Sequence, residues 1–418
     1  MNKLRINLYD LLSCISKAEE LISTILVNHH QQVAYLSLRL AEQIGLSAEL
    51  QYDIYIAALI HDIGATTVKE RLELVESEPI NVNSHAFRGA KLIEGFKPLQ
   101  NAAKIIKFHH IPWDYGNGSR YMGEEVPLAS QIIHLADRVC ASIRPNHNII
   151  TQLPSVLSRI RMQSGSVFNP DLVDTLFEIS DKEYIWLDLI FPNPAQMVSF
   201  NGILNILTLE IDDIVDLALI FSRIIDFRSR FTASHSAGVA KVAERLAELC
   251  GFSPNECKMM LIAGYLHDLG KIAISDEILE KPIKLSEQEF NEMRAHTYYT
   301  FRMLEPLEQL KTISIWAAYH HEKLDGTGYP FHLLGKDLPL GSRIMAVADV
   351  FTAITEDRPY RKGMDFQSTE KVLTDMVKNN ALDGMVANKL IENFSEINHI
   401  REVSQCEAVQ MYESFLKT

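Results

Sequence analysis

Apolar residues recur along this chain mostly at intervals of three and four, the spacing that lays them on one face of a helix. The pattern is clearest from 253 to 270. Ser253, Pro254 and Glu256 form a helix start, with Ser at the N-cap, Pro in the first turn and Glu placed to close a capping box. Met259, Ile262, Ala263 and Leu266 continue with helical period, and Gly270 is expected to end the helix. Residues 47–64 repeat this shape, from Ser47 to Gly64. Similar periodicity predicts helices over 239–249, 313–319 and 344–354, and 203–230 reads as a helical segment running unbroken into the helices beyond it. No run alternates convincingly as a half-buried strand would, and little signal remains after about His399. The expected fold class is all-α.

The helices come in two copies. The interval from His29 to His61-Asp62-Ile63-Gly64 equals that from His235 to His267-Asp268-Leu269-Gly270. His85 precedes His109-His110 by the same interval that separates His296 from His320-His321. The stretch from the second His of each pair to the last Asp, His110 to Asp137 and His321 to Asp349, differs between the copies by a single position. The expected organisation is an N-terminal domain at 1–202, a helical linker at 203–230 and a C-terminal domain at 231–418. A long linking helix could pair two chains into a homodimer.

Composition narrows the partners. A net charge of −14 excludes polymeric nucleic acid, which needs extended basic patches to displace counterions. Cys14, Cys140, Cys250, Cys257 and Cys406 are scattered and form no CxxC, which fits a reducing cytoplasm and no disulfide scaffold. No stretch approaches the roughly 18–20 apolar residues of a membrane span. The most apolar candidate, 217–221, is bounded by Asp216 and Arg223, and the N-terminus lacks a signal-peptide pattern. A cytoplasmic protein without a membrane partner is expected.

The second copy gathers His235, His267, Asp268, His296, His320, His321 and Asp349. Nitrogen and oxygen donors in this number suit a dinuclear site of Fe, Mn or similar divalent transition metals. Asp349 stands among Ile344, Met345, Val347, Val350 and Phe351. Burying it unpaired would cost roughly several kcal/mol, so it needs a metal or a cation. Two metals acidify a shared water from about 15.7 toward 7, which makes metal-assisted hydrolysis the natural chemistry.

The motifs are specific: HDxGK at 267–271, HHExxDGxGYP at 320–330, Asp349 after Ala348, and Arg358-Pro359-Tyr360-Arg361. On these the C-terminal half, about 231–394, resembles the HD-GYP family of phosphodiesterases. The N-terminal half is similar to a plain HD domain. The resemblance implies tandem helical HD-type domains, a metal centre and hydrolysis of cyclic dinucleotides, cyclic di-GMP or 3′,3′-cyclic GMP–AMP, to linear dinucleotides and then mononucleotides. By the family pattern, His235, His267 and Asp349 would hold one metal, His296, His320 and His321 the other, with Asp268 bridging. Asp268 and Lys271 would be catalytic, Lys271 stabilising charge or donating a proton. Lys271, Gly328, Tyr329, Pro330, Arg358 and Arg361 would bind substrate. Family members with three metals carry a Glu four residues before the first His. Here that position is Phe231, so two metals are expected. Alternatives are a non-catalytic receptor for the nucleotide and an HD-type nucleotide phosphohydrolase.

The first copy keeps His29, His61, Asp62, His85, His109, His110 and Asp137 as a second metal site. It has Ala65 in place of the Lys, and Trp113-Asp114-Tyr115-Gly116-Asn117-Gly118 where the GYP loop would be. Ligands without a charged helper should bind metal and catalyse poorly, as in a sensor or dimerising module. A second hydrolase and an inert relic are the other readings.

Overall fold

Ser253 caps its helix as the sequence requires: Glu256 N donates to Ser253 Oγ at 3.4 Å and Ser253 N to Glu256 Oε2 at 2.9 Å. The structure, a computed structural model, describes residues 4–20, 27–76, 83–144, 147–191, 207–229, 232–281, 283–357 and 362–417. It is built almost wholly of helices, and strands among the described residues are two or three residues long.

The chain divides into two compact units, one of residues 7–207 and one of 208–417 with the first residues of the chain. The N-terminal unit is built on helices His29–Ile44, Ala48–Leu59, Asn83–Ile93, Gln100–Lys107 and Leu128–Ala141. Their C-terminal counterparts are His235–Leu249, Pro254–Leu266, Glu287–Leu304, Lys311–Ala318 and Leu340–Thr355. Each set packs its first helix on its second and its last. Val239, Val242, Leu246, Ile262, Ile344 and Val347, all fully buried, meet in the C-terminal core.

Two expectations are corrected. The 203–230 segment does not run straight into the second repeat. Helix Ile211–Asp226 stops at Phe227 and the next starts at His235. Between them Arg228 turns inward and donates to the carbonyls of Lys271, Ile272 and Ile274 at 2.7–3.0 Å. Ile211–Asp226 packs on Pro254–Leu266 inside the C-terminal unit. Residues 203–206 and 230 of that segment lie outside the described residues.

Gly270 is not a left-handed cap. Its helix ends at Leu266, and a Cβ on Gly270 would sit 1.9 Å from the His296 carbonyl oxygen. Gly64 is the same, 2.1 Å from the His85 carbonyl oxygen. Each glycine lets the helix carrying the third candidate ligand approach the His-Asp turn backbone to backbone. Thr300 fastens that contact, donating to His267 O at 3.0 Å and accepting from Gly270 N at 2.9 Å.

The tail is a 23-residue helix, Phe394–Leu416, lying against His235–Leu249. Two of its four buried residues are polar, Arg401 and Gln405 beside Ile397 and Phe415, so no apolar period announces it.

Candidate metal centre

The C-terminal unit brings all seven of its expected ligands to one place. Asp268 sits in the middle. Its Oδ2 is 3.2 Å from His267 Nε2 and its Oδ1 is 3.4 Å from His296 Nε2. On the His267 side, His235 Nε2 lies 3.1 Å from Asp349 Oδ1. On the other side, His296 Nε2 is 3.3 Å from His320 Nε2, and His321 completes a group of three. His321 Nδ1 also faces Asp349 Oδ2 at 3.7 Å.

Backbone carbonyls set the aim of the rings. His267 Nδ1 donates to Gly264 O, His296 Nδ1 to Met293 O and His320 Nδ1 to Ala317 O, at 2.6–2.7 Å. A carbonyl only accepts, so each neutral ring must carry its proton on Nδ1 and present a bare Nε2. Two of these carbonyls, of Gly264 and Ala317, belong to the last turn of a helix, where intrahelical partners run out. Burial holds His296 down to about 3, and burial with the neighbouring His321 holds His320 well below the ordinary imidazole value. The His296 and His320 lone pairs therefore face each other across 3.3 Å with no proton between them. His267 Nε2 and Asp268 Oδ1 are buried without a hydrogen-bond partner. Lone pairs converging in a buried space are costly alone and are what divalent metals bind, so the donor set fits a metal pair.

His235 differs, because it is the first residue of its helix and has no helical turn behind it, only the turn of residues 232–234. Glu356 Oε2 takes its Nδ1 at 3.2 Å and also accepts from Gln405 Nε2 at 3.1 Å. Against the effect of burial, Glu356 and Asp349 raise His235 to about 10. Sequence reasoning missed Glu356 and Gln405, since a carboxylate at a helix end and an amide inside the tail helix carry no spacing signal.

Lys271 Nζ lies 2.5 Å from Asp268 Oδ2, and this carboxylate raises the lysine against the effect of burial. Asp268 is held well below the usual carboxylate range, despite its burial, by His267 and Lys271. Glu322, the Glu of the HHE string, is not aimed at the centre. It accepts from Phe331 N at 2.6 Å and Leu333 N at 3.0 Å and so anchors the GYP loop. Gly328 has no room for a Cβ, which would meet Glu322 Cα at 2.4 Å. Tyr329 stands 5.0 Å from the His321 ring, with the Arg294 guanidinium 4.8 Å over its face. Pro330 and Tyr329 line a groove with Asn291 and Arg294. His321 is the one ligand of the seven with a substantially open side chain, 31% exposed, and it marks the mouth. Arg358, Arg361 and Phe231 lie outside the described residues.

The N-terminal unit also assembles its seven. His29 Nε2 is 3.1 Å from Asp137 Oδ1, His85 Nε2 is 3.1 Å from Asp62 Oδ1 and 3.4 Å from His109 Nε2, and His110 joins that group. Residues 113–115 turn away and bond through backbone to 165–167.

Models of the HD domain family match residues 26–142 and 220–386. The chain is 31% identical over 402 residues to 3′3′-cGAMP-specific phosphodiesterase 1 of Vibrio cholerae, covering 93% of this chain and 92% of that protein. It is 40% identical over 143 residues, 34% of this chain and 38% of the other, to a cyclic di-GMP phosphodiesterase response regulator of Xanthomonas campestris. A crystal structure of a cyclic GMP–AMP specific phosphodiesterase of V. cholerae superposes with a TM-score of 0.65 at 22% identity, over 94% of this chain and 98% of that one.

Proposed function

This chain belongs to the HD-GYP-type phosphodiesterases of cyclic dinucleotides, and we propose that its C-terminal unit opens 3′,3′-cyclic GMP–AMP, with cyclic di-GMP as the second substrate. The observation that carries this reading is the convergence of six His and Asp donors around Asp268 with an ammonium, Lys271, on the same carboxylate. His235, His267 and Asp349 would hold one metal and His296, His320 and His321 the other, with Asp268 between them. Iron or manganese suits these donors, and in the cytoplasm availability would decide between them. When bound, such metals acidify water and offset charge on phosphoryl oxygens.

The chain supplies the rest. Lys271, kept protonated by Asp268, places a fixed positive charge where the phosphate and the leaving ribose oxygen would lie. Tyr329 and Arg294 form a stacked pair at the mouth, a surface that a purine could extend. Glu322 fixes the loop that carries Tyr329, so that this surface is pre-formed. Arg358 and Arg361 would grip the second phosphate through their planar forks. The near full-length likeness to a 3′3′-cGAMP-specific enzyme favours the mixed nucleotide. The test is chromatographic: kcat/KM for cyclic GMP–AMP and for cyclic di-GMP on protein loaded with Mn(II) or Fe(II) and assayed for metal. Preference for the mixed nucleotide is expected, and equal or greater turnover of cyclic di-GMP would reverse the assignment of substrate.

A further inference from the structure

The N-terminal cluster differs from the C-terminal one in three ways that bear on what it can do. The first is at the central carboxylate. Asp268 Oδ2 meets an ammonium, whereas the counterpart of Lys271 is Ala65, which has no polar side chain. Facing Asp62 Oδ2 instead is His30 Nε2 at 3.8 Å, with His61 Nε2 at 3.4 Å. His30 occupies the position of Ser236, which in the C-terminal unit turns away to bond Asp226. An imidazole has thus entered the cluster from the residue beside the first ligand.

The second difference is at the last carboxylate. Asp137 Oδ2 accepts from Arg138 Nε at 2.9 Å and Nη2 at 2.7 Å, which leaves Oδ1 as its inward donor. The same Arg138 donates to Leu74 O at 2.8 Å, tying helix Val68–Glu76 to the cluster. The third is closure. His29, His30, His61, Asp62, His85, His109, His110 and Asp137 are each 5% exposed or less. No counterpart of the 31% opening at His321 exists among them.

The donor set still calls for metal. His61 Nδ1 donates to Ala58 O and His109 Nδ1 to Ile106 O, at 2.8 and 2.7 Å, so both present a bare Nε2 inward. His29 Nε2, His61 Nε2, Asp62 Oδ1 and Asp137 Oδ1 are buried and make no hydrogen bond of acceptable geometry. Metal sites whose ligands are all protein groups, with no open position, serve structure or sensing, whereas hydrolytic sites keep a position for water or substrate.

We propose that the N-terminal unit holds a closed metal centre in which His30 is an additional ligand beside the seven repeated ones, and that this centre retains metal without admitting a phosphate ester. The inference concerns the first unit alone and does not rest on the activity assigned to the second.

The test uses full-length protein carrying His267→Ala and Asp268→Ala, loaded with Co(II), so that bound metal reports the first unit independently of turnover. At least one equivalent should survive desalting and leave to EDTA about 10-fold more slowly than from the C-terminal site of a His61→Ala/Asp62→Ala chain. Adding His30→Ser, the residue of the other copy, should speed release about 10-fold or more and alter the cobalt visible spectrum. His30→Gln, which keeps more of the side-chain volume, should do the same and decides the matter if the Ser variant fails to fold. Loss of all metal from the His267→Ala/Asp268→Ala chain would overturn the proposal. So would unchanged release and spectrum in a folded His30 variant.

Discussion

At the scale of single residues, the site is an exercise in fixing which nitrogen of each imidazole is free. Spending Nδ1 on a carbonyl three residues back is available to any His that follows a helical turn, and His61, His109, His267, His296 and His320 all use it. His235 cannot, and a carboxylate replaces the carbonyl. Glu356→Gln should therefore weaken metal binding at the His235 side by about 10–100-fold, read by metal titration, while the melting temperature moves little. Glu322→Ala should leave the amides of Phe331 and Leu333 without their acceptor, at about 1–3 kcal/mol each. Its expected mark is a raised KM, since the Tyr329 loop loses its anchor, and an unchanged KM would argue that the loop holds itself. The candidate ligands could be picked out because a duplicated spacing is a property of the chain alone. Glu356, Gln405, Arg294 and His30 were not, because their roles depend on which surfaces the fold brings beside them.

At the scale of elements, the decisive contact is the crossing of the His296 helix over the His-Asp turn. Gly270→Ala would press a methyl against a carbonyl, and overpacking of this kind costs about 1–3 kcal/mol or more. Gly95, whose added Cβ would meet nothing within 4 Å, is the matched control and should tolerate Ala within about 0.5 kcal/mol in urea denaturation. The tail helix is the second structural dependence. Phe415 is 2% exposed and packs on Phe227 at 5.1 Å, so Phe415→Ala should cost about 3–5 kcal/mol. Helix Pro254–Leu266 could be read from its cap and its period. Helix Phe394–Leu416 could not, because its buried face holds Arg401 and Gln405, which no hydrophobic pattern reveals. Gly270 was seen as a helix stop because a helix does end nearby, yet the requirement for glycine comes from a partner helix distant in sequence.

At the scale of the molecule, the two units repeat one fold and divide in chemistry, one cluster open at His321 and one shut. Their shared electrostatics make metal-stripped protein sensitive to acid. Burial holds His61 to about 4 and His296 to about 3, below the ordinary 6.5, so the unfolded chain takes up these protons first. Their stabilisation is complete above 6.5 and is lost as pH falls toward 3–4. His109 and His320 act in the same direction, and Asp62 and Asp268, also depressed, add to it at lower pH. His235, raised to about 10, and His267, which Asp268 raises against its burial, act oppositely: their contribution is complete below 6.5 and is lost as pH rises, through 10 for His235. That of Asp226, which burial raises to about 7, is lost between 3.8 and 7. The melting temperature of stripped protein should peak near 6.5 and fall more steeply on the acid side, and a symmetric or alkaline-steep profile would contradict these assignments. The measurement that bears most directly on the whole account is turnover of 3′,3′-cyclic GMP–AMP by metal-assayed wild type beside the His267→Ala/Asp268→Ala protein, with circular dichroism to establish that both are folded. The account predicts linear product from wild type and at least about a 1,000-fold loss in the variant, since removing a proposed central ligand and the carboxylate proposed to lie between the metals would remove the metals' electrostatic stabilisation. Equal turnover by the two folded proteins would contradict it.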